Sequence, residues 1–265
     1  MTVALPASSK ITHMSPPAPD ENPARPAKPA GPLLAMDTSG RTARVALVAH
    51  DGRVLASGER TSDRHSSILL PLCSELLDQA GLRAENLGGL ACGAGPGSFT
   101  GLRVGLAVAK GLAFATGRPI FLVSSLEALA RDLAGLHPQA RLVVPCIDAG
   151  KGEVYAQRFA PRAGELRPLA QVERLAPQTL REALAAEPSA VVVAGTGVDR
   201  FGEQLAPPES ARARWLTLFG FAGPTATAVA GLALARWGVG TGDDLDASVP
   251  LYGRPPDITK PKPRG

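Results

Sequence analysis

The sequence CGAGPGSFTGLRVG, residues 92–105, decides how we expect this chain to fold. Its apolar start predicts the end of a strand, and the glycines on either side of Pro96 predict a tight turn. Ser98 or Thr100 is placed to cap a helix that we expect to continue to about Thr116. The stretch therefore predicts a strand, a structural loop and a long helix in succession. The residues assigned to the structural loop are Gly95, Pro96, Gly97, Ser98, Phe99, Thr100 and Arg103.

The predicted helix carries a small residue at every fourth position, namely Gly101, Gly105, Ala109 and Ala113. Residues four apart lie on one face of a helix, so another element can approach this face closely. Because glycine disfavours a helix interior, its presence here needs a packing reason. Two interpretations stay open on these residues alone. The helix is buried behind a tight turn, or it packs against another protein.

The loop matches neither common nucleotide-binding pattern. No Gly-Lys-Ser or Gly-Lys-Thr follows its glycines, as a P-loop requires. Reading the dinucleotide fingerprint from Gly93 places Ser98 where the third glycine belongs, and reading it from Gly95 places Thr100 there. Neither pattern therefore supports a phosphate site at this turn.

Two similar segments predict a duplicated fold. Asp37 lies in a turn between two predicted strands, and Asp148 lies in a second segment of the same kind. Strand, Asp-containing turn and strand resemble the start of an ASKHA lobe, the actin- and sugar-kinase-like ATPase fold, in which the turn holds phosphate. An ordinary turn is the alternative for each segment. We predict an α/β, duplicated two-lobe ASKHA fold with lobes at 33–123 and 124–252, and a vestigial nucleotide loop at Asp37, Thr38 and Ser39.

Residues 95–105, followed by Ala109-Lys110-Gly111-Leu112-Ala113, resemble the signature of the TsaB (YeaZ) family. The resemblance covers roughly residues 33–254 and is strongest in the first half. It implies a non-catalytic scaffold that binds and activates TsaD, the transferase that forms threonylcarbamoyladenosine in tRNA beside the anticodon. The resemblance also implies that the ATPase TsaE joins this pair. Without TsaD, the same exposed surface is expected to favour a homodimer. We expect tRNA to be contacted only indirectly.

Two predicted helices, at 65–80 and 99–116, are expected to present small and apolar surface to two like helices of TsaD. The first carries an apolar stripe at helical spacing. The predicted interface comprises His65, Ser66, Leu69, Leu72, Leu76, Gly101, Leu102, Gly105, Ala109 and Leu112.

No catalytic residue is predicted, because no activated group has a partner at a recognisable spacing. His65 lacks a second histidine four residues on, where Leu69 stands, and TsaD binds its metal through a paired histidine motif that this chain lacks. We expect no metal site and no cofactor. The alternative is a stand-alone ASKHA-type ATPase or small-molecule kinase, which rests on the vestigial loop and on a Gly-Thr-Gly turn at 195–197.

Composition bounds the remaining possibilities. The 265 residues suit one large domain or two lobes, and a hydrophobic content of 45% supports a core. We find no run of about 18 apolar residues and expect no membrane span. Three scattered cysteines, Cys73, Cys92 and Cys146, predict buried thiols in a reducing, cytoplasmic compartment.

The net charge of +4 resides in the two ends of the chain. Residues 1–32 carry +1 and residues 253–265 carry +3, so the body between them is formally neutral. A neutral body argues against a direct tRNA clamp, and an RNA-binding module would rest on the tails alone. We predict a disordered Pro/Ala-rich extension at 1–32 and a disordered basic tail at 253–265.

Overall fold

The computed structural model describes residues 31–62, 64–162, 165–237 and 242–250. The predicted basic tail, and the predicted extension except for residues 31–32, lie outside them. The described chain forms two sheets with helices packed against them. The helices are α1 (His65–Gln79), α2 (Phe99–Thr116), α3 (Ser125–Leu136), α4 (Pro177–Ala185), α5 (Thr196–Phe201) and α6 (Ala226–Trp237).

The first sheet has the strand order β3-β2-β1-β4-β5. Its first three strands pair antiparallel, and β4 and β5 continue the sheet parallel to β1. The strands are β1 (Leu33–Asp37), β2 (Thr42–Val48), β3 (Val54–Thr61), β4 (Gly89–Gly95) and β5 (Ile120–Ser124).

The second sheet repeats this order as β10-β7-β6-β11-β12, and a hairpin of β8 and β9 is attached to β6. The antiparallel and parallel pairings recur in the same places. The duplicated α/β fold of ASKHA type is therefore confirmed. The strands are β6 (Leu142–Gly150), β7 (Glu153–Ala156), β8 (Phe159–Arg162), β9 (Glu165–Pro168), β10 (Glu173–Leu175), β11 (Val191–Ala194) and β12 (Trp215–Leu218).

Helix α6 packs against a different lobe from the one to which the predicted boundary assigns it. It packs on the first sheet, against β1, β2, β4 and β5, although its residues fall within the range assigned to the second lobe. Its alanines are small, which lets the helix lie close to the sheet. Val229 and Trp237 share a core with Phe121 of β5. Asp243 then pairs with Ile120 at the outer edge of β5. The chain therefore returns to its first lobe after completing the second.

Helix α2 covers the other face of the first sheet beside α1. Ser98 caps it by accepting a hydrogen bond from the Gly101 amide at 3.2 Å, and Gly117 ends it with φ of 64°. Among the described residues, α2 alone is long and apolar enough to cross a membrane, a test that core helices of soluble proteins also pass. This finding rests on length and composition alone, so the expectation of no membrane span stays a prediction. The inner side of α2 packs on the sheet of the folded domain.

Candidate protein-docking site

The turn that follows β1 is filled by the chain's own polar groups. Asp37 is fully buried, and its Oδ1 accepts hydrogen bonds from the Ser39 amide at 2.9 Å and the Ser39 hydroxyl at 2.6 Å. Its Oδ2 accepts one from the Ser125 hydroxyl at 2.8 Å, at the start of α3. Burial raises the pKa of Asp37 above its usual range, and the hydrogen bonds from Ser39 and Ser125 oppose that shift.

The same turn holds the start of α2. The Thr38 hydroxyl donates to the Gly101 carbonyl at 2.8 Å, and the Ser98 amide donates to the Ser39 carbonyl at 2.7 Å. Gly97 approaches Ser39 so closely that an added Cβ would lie within 3.0 Å of it. The structural loop predicted around Pro96 therefore lies directly on the turn predicted to be a nucleotide loop.

A third segment covers this turn. An added Cβ at Gly40 would meet the Ala222 carbonyl inside 3.0 Å, and the Arg44 guanidinium donates to that carbonyl at 3.3 Å. In an active ASKHA lobe, amides and hydroxyls of this turn hold phosphate. Here Thr38 and Ser39 are engaged by other parts of the same chain, so the turn does not fit a phosphate as it stands.

The corresponding turn of the second lobe is also engaged. Asp148 accepts hydrogen bonds from the Gly150 amide at 2.9 Å and from Arg200 at 2.6 Å, and its own amide donates to the Thr196 hydroxyl at 3.1 Å. Gly195, with φ of 124°, joins β11 to the short α5. The Gly-Thr-Gly stretch is thus a strand-to-helix turn.

The small-residue face of α2 is turned inward, and this corrects the predicted interface. An added Cβ at Gly101 or Gly105 would lie within 3.0 Å of Thr38, so α2 approaches the turn as closely as glycine permits. Of the predicted interface, Ser66 is exposed and Leu112 is half-buried. The other eight are buried in the chain's own first lobe, where a partner cannot reach them: His65, Leu69, Leu72, Leu76, Gly101, Leu102, Gly105 and Ala109.

A second face of α2 points away from the sheet, and its residues were not among those predicted. We define the outer face of α2 as Val104, Ala107, Gly111, Phe114 and Ala115, all of which are exposed or half-buried. Phe114 is 82% exposed, and an added Cβ at Gly111 would meet nothing within 4 Å. None of the five carries a charge. Large exposed apolar patches often mark interaction sites, which makes the outer face a candidate docking surface.

The two ends of the outer face differ in character. Near the start of α2, the Arg103 guanidinium lies 3.9 Å from the centre of the Phe99 ring, and Phe99 is 45% exposed. Further along, Lys110 donates to the Ser248 carbonyl at 3.3 Å, which ties the returning C-terminal segment to the flank of the helix. A stacked cation therefore lies at the start of the outer face, and the anchored segment lies along its flank.

The described residues contain no group of three or more His, Cys, Asp or Glu that could hold a metal ion. His65 is buried at the start of α1, and its Nε2 has no hydrogen-bond partner there. All three cysteines are free and buried, as predicted. Burial raises the pKa of Cys73 and Cys146 to about 12.

The chain is similar to known proteins in both sequence and structure. The family model described as "TsaD: tRNA N6-adenosine threonylcarbamoyltransferase" matches residues 27–192, so the chain is a member of the wider family that it describes. The solved structure of YeaZ from Pseudomonas aeruginosa is 33% identical, with a TM-score of 0.70, over 83% of this chain and all of that one. The chain belongs to the TsaB (YeaZ) family.

Other TsaB relatives support this placement. A Pseudomonas aeruginosa structure described as similar to peptidase YEAZ is 34% identical, with a TM-score of 0.72, over 84% of this chain and all of that one. The TsaB protein of Haemophilus influenzae is 43% identical over 46% of this chain and 51% of its own length. That of Escherichia coli is 39% identical over 46% and 52%. The chain thus spans about half the length of the curated TsaB relatives it matches.

Proposed function

We propose that this TsaB-family chain is the non-catalytic subunit that binds and activates the threonylcarbamoyltransferase TsaD in the formation of threonylcarbamoyladenosine in tRNA. The names of its relatives assign those proteins to this biosynthesis. The observation that carries the scaffold role is the outer face of α2, which is uncharged and exposed or half-buried, on a helix that packs beside α1. A partner helix that covers this face removes apolar area from water, which favours association.

The non-catalytic part of the proposal rests on the first-lobe turn. Asp37, Thr38 and Ser39 are the residues that a stand-alone ASKHA ATPase or kinase would use to hold phosphate. Their side chains instead bind each other, Ser125 and the start of α2. Phosphate would have to displace these internal hydrogen bonds before it could bind. The turn therefore favours a structural role over that alternative.

The remaining parts of the proposal concern the assembly. TsaE joins the heterodimer of this chain with TsaD, and tRNA is held by the assembly rather than by the chain alone. Without TsaD, the same outer face pairs with a second copy, because uncovered apolar surface favours a closed dimer. The compartment proposed for this assembly is the cytoplasm.

Reconstitution tests the function. TsaD, TsaE, tRNA and the threonylcarbamoyl adenylate are incubated with and without the chain, and modified adenosine is measured by mass spectrometry. We expect the chain to raise product formation at least tenfold and to form none without TsaD. Equal product with and without the chain would contradict the activating role. Product formed by the chain without TsaD would show that it is itself a transferase.

A further inference from the structure

We propose that Thr38 is a positioning residue that fixes the first turn of α2, and with it the outer face, in the arrangement to which the partner binds. The inference rests on the proposed function, since it assigns a role toward the same docking face. Thr38 is fully buried, so it cannot contact the partner itself. Whatever it does for binding, it does through α2.

The contact between Thr38 and α2 is close and extends over two helical turns. The hydroxyl donates to the Gly101 carbonyl at 2.8 Å, and both groups are buried. At Gly101 and again at Gly105, an added Cβ would fall within 3.0 Å of Thr38, a separation that real Cβ atoms essentially never show. The two glycines therefore have a packing reason: they admit one threonine side chain and its carbonyl against the helix.

The turn that carries Thr38 is itself fixed on both sides. Ser39 donates two hydrogen bonds to Asp37, and its carbonyl accepts one from the amide of Ser98. Ser98 is the residue that caps α2. Asp37 also accepts a hydrogen bond from the hydroxyl of Ser125 at the start of α3. The cap and the first turn of α2 are thus held from one short segment, which is anchored to the sheet and to a second helix.

Replacing Thr38 by valine changes this contact while nearly keeping the side-chain volume. A methyl carbon and a carbonyl oxygen approach each other to about 3.3 Å, whereas the hydroxyl lies at 2.8 Å. The first turn of α2 must therefore move by roughly 0.5 Å or more, and it carries Val104 of the outer face with it. If the docking arrangement is then populated about one tenth of the time, the apparent Kd rises about tenfold.

The full chain supplies the conservative variant and the control. Thr38→Ser keeps the hydroxyl and is expected to bind TsaD within about twofold of the wild type, whereas Thr38→Val binds about tenfold more weakly, a difference of about 1.4 kcal/mol. Thr42→Val is the control, because Thr42 is also a buried threonine and its hydroxyl bonds to Thr61 at 2.9 Å, away from α2. It is expected to lower stability and to leave the Kd within about twofold.

Calorimetric titration against TsaD measures the Kd of each variant, and amide hydrogen exchange measures the first turn of α2. The Leu102 amide, which donates to the Ser98 carbonyl at 2.9 Å, is expected to exchange faster in Thr38→Val and not in Thr42→Val. Wild-type binding by Thr38→Val would overturn the inference. So would equal weakening by Thr42→Val, which would indicate general instability.

A second variant covers the case in which Thr38→Val does not fold. Thr38→Ala removes the hydroxyl and places no methyl group against the Gly101 carbonyl, and it is expected to show faster exchange at Leu102 and weaker binding. No change in either would overturn the inference. If the wild-type chain itself does not bind TsaD, the proposed function fails, while the exchange measurement still decides whether Thr38 fixes α2.

Discussion

Replacing Gly105 by alanine is expected to destabilise this protein relative to the same replacement at Gly111, on the opposite face of α2. Both variants gain about 1 kcal/mol of helix propensity, so the difference between them isolates the contact that the new methyl group makes. At Gly111 that group meets nothing within 4 Å. At Gly105 it falls within 3.0 Å of the Thr38 hydroxyl, where ordinary contact begins only at 3.4 Å.

The helix or the turn must therefore shift by at least 0.4 Å to admit the methyl group at position 105. Overpacking of this kind costs about 1–3 kcal/mol, which is the expected difference in unfolding free energy between the two variants. Urea unfolding, followed by circular dichroism, measures it, with the wild type as reference. Equal stability of Gly105→Ala and Gly111→Ala would refute the placement of the small-residue face of α2 against the chain's own lobe. It would instead support the sequence-based prediction that this face binds a partner.

Three further results are expected. Burial raises the pKa of Asp37 in the folded protein, so folding favours the protonated carboxyl. Its contribution to the free energy of unfolding is fully present below the unfolded pKa, about 3.9, and is lost as pH rises through the folded pKa. The unfolding free energy of the wild type minus that of Asp37→Asn should therefore fall as pH rises from about 4, and a flat or rising difference in urea titrations would contradict this. Titration calorimetry with Mg-ATP should show no binding at this turn, and micromolar binding that Asp37→Asn abolishes would support the ATPase alternative instead. The buried thiols of Cys73, Cys92 and Cys146 should react with a disulfide reagent at pH 8 only after urea is added, and rapid labelling of the native protein would contradict their burial.

The local structure around residues 92–105 was predictable because its signals act over a few residues. Serine is a preferred capping residue at helix starts in any fold, and Ser98 caps α2 here. The duplicated lobes were predictable for a related reason. Asp37 and Asp148 end matching strands, and the same strand order surrounds both.

The orientation of α2 was not predictable from its pattern. Periodicity identifies residues that share a face, but it does not say whether that face meets the chain's own sheet or a partner. Both faces of α2 are small or apolar, with Gly105 on one and Gly111 on the other. The choice between them depends on the contact of Gly101 and Gly105 with Thr38, which lies 63 residues from Gly101 along the chain.

The return of α6 to the first sheet could not be predicted from the sequence either, because its pattern does not say which surface it meets. Its residues are largely alanine and other apolar types, so no polar stripe marks which side faces a core. Its placement follows from contacts of Trp237 and Val229 with Phe121, which are distant in sequence. A single lobe boundary in the sequence cannot describe a helix that follows the second lobe in the chain and packs on the first.

The most direct measurement of the docking claim compares glutamine at two exposed helical glycines. Gly111 lies on the outer face of α2 and Gly135 lies in α3, and an added Cβ at either position would meet nothing within 4 Å. Titration calorimetry against TsaD should show at least about tenfold weaker binding for Gly111→Gln, a loss of about 1.4 kcal/mol, and wild-type binding for Gly135→Gln. Wild-type affinity in Gly111→Gln, with both variants folded, would contradict docking through the outer face of α2.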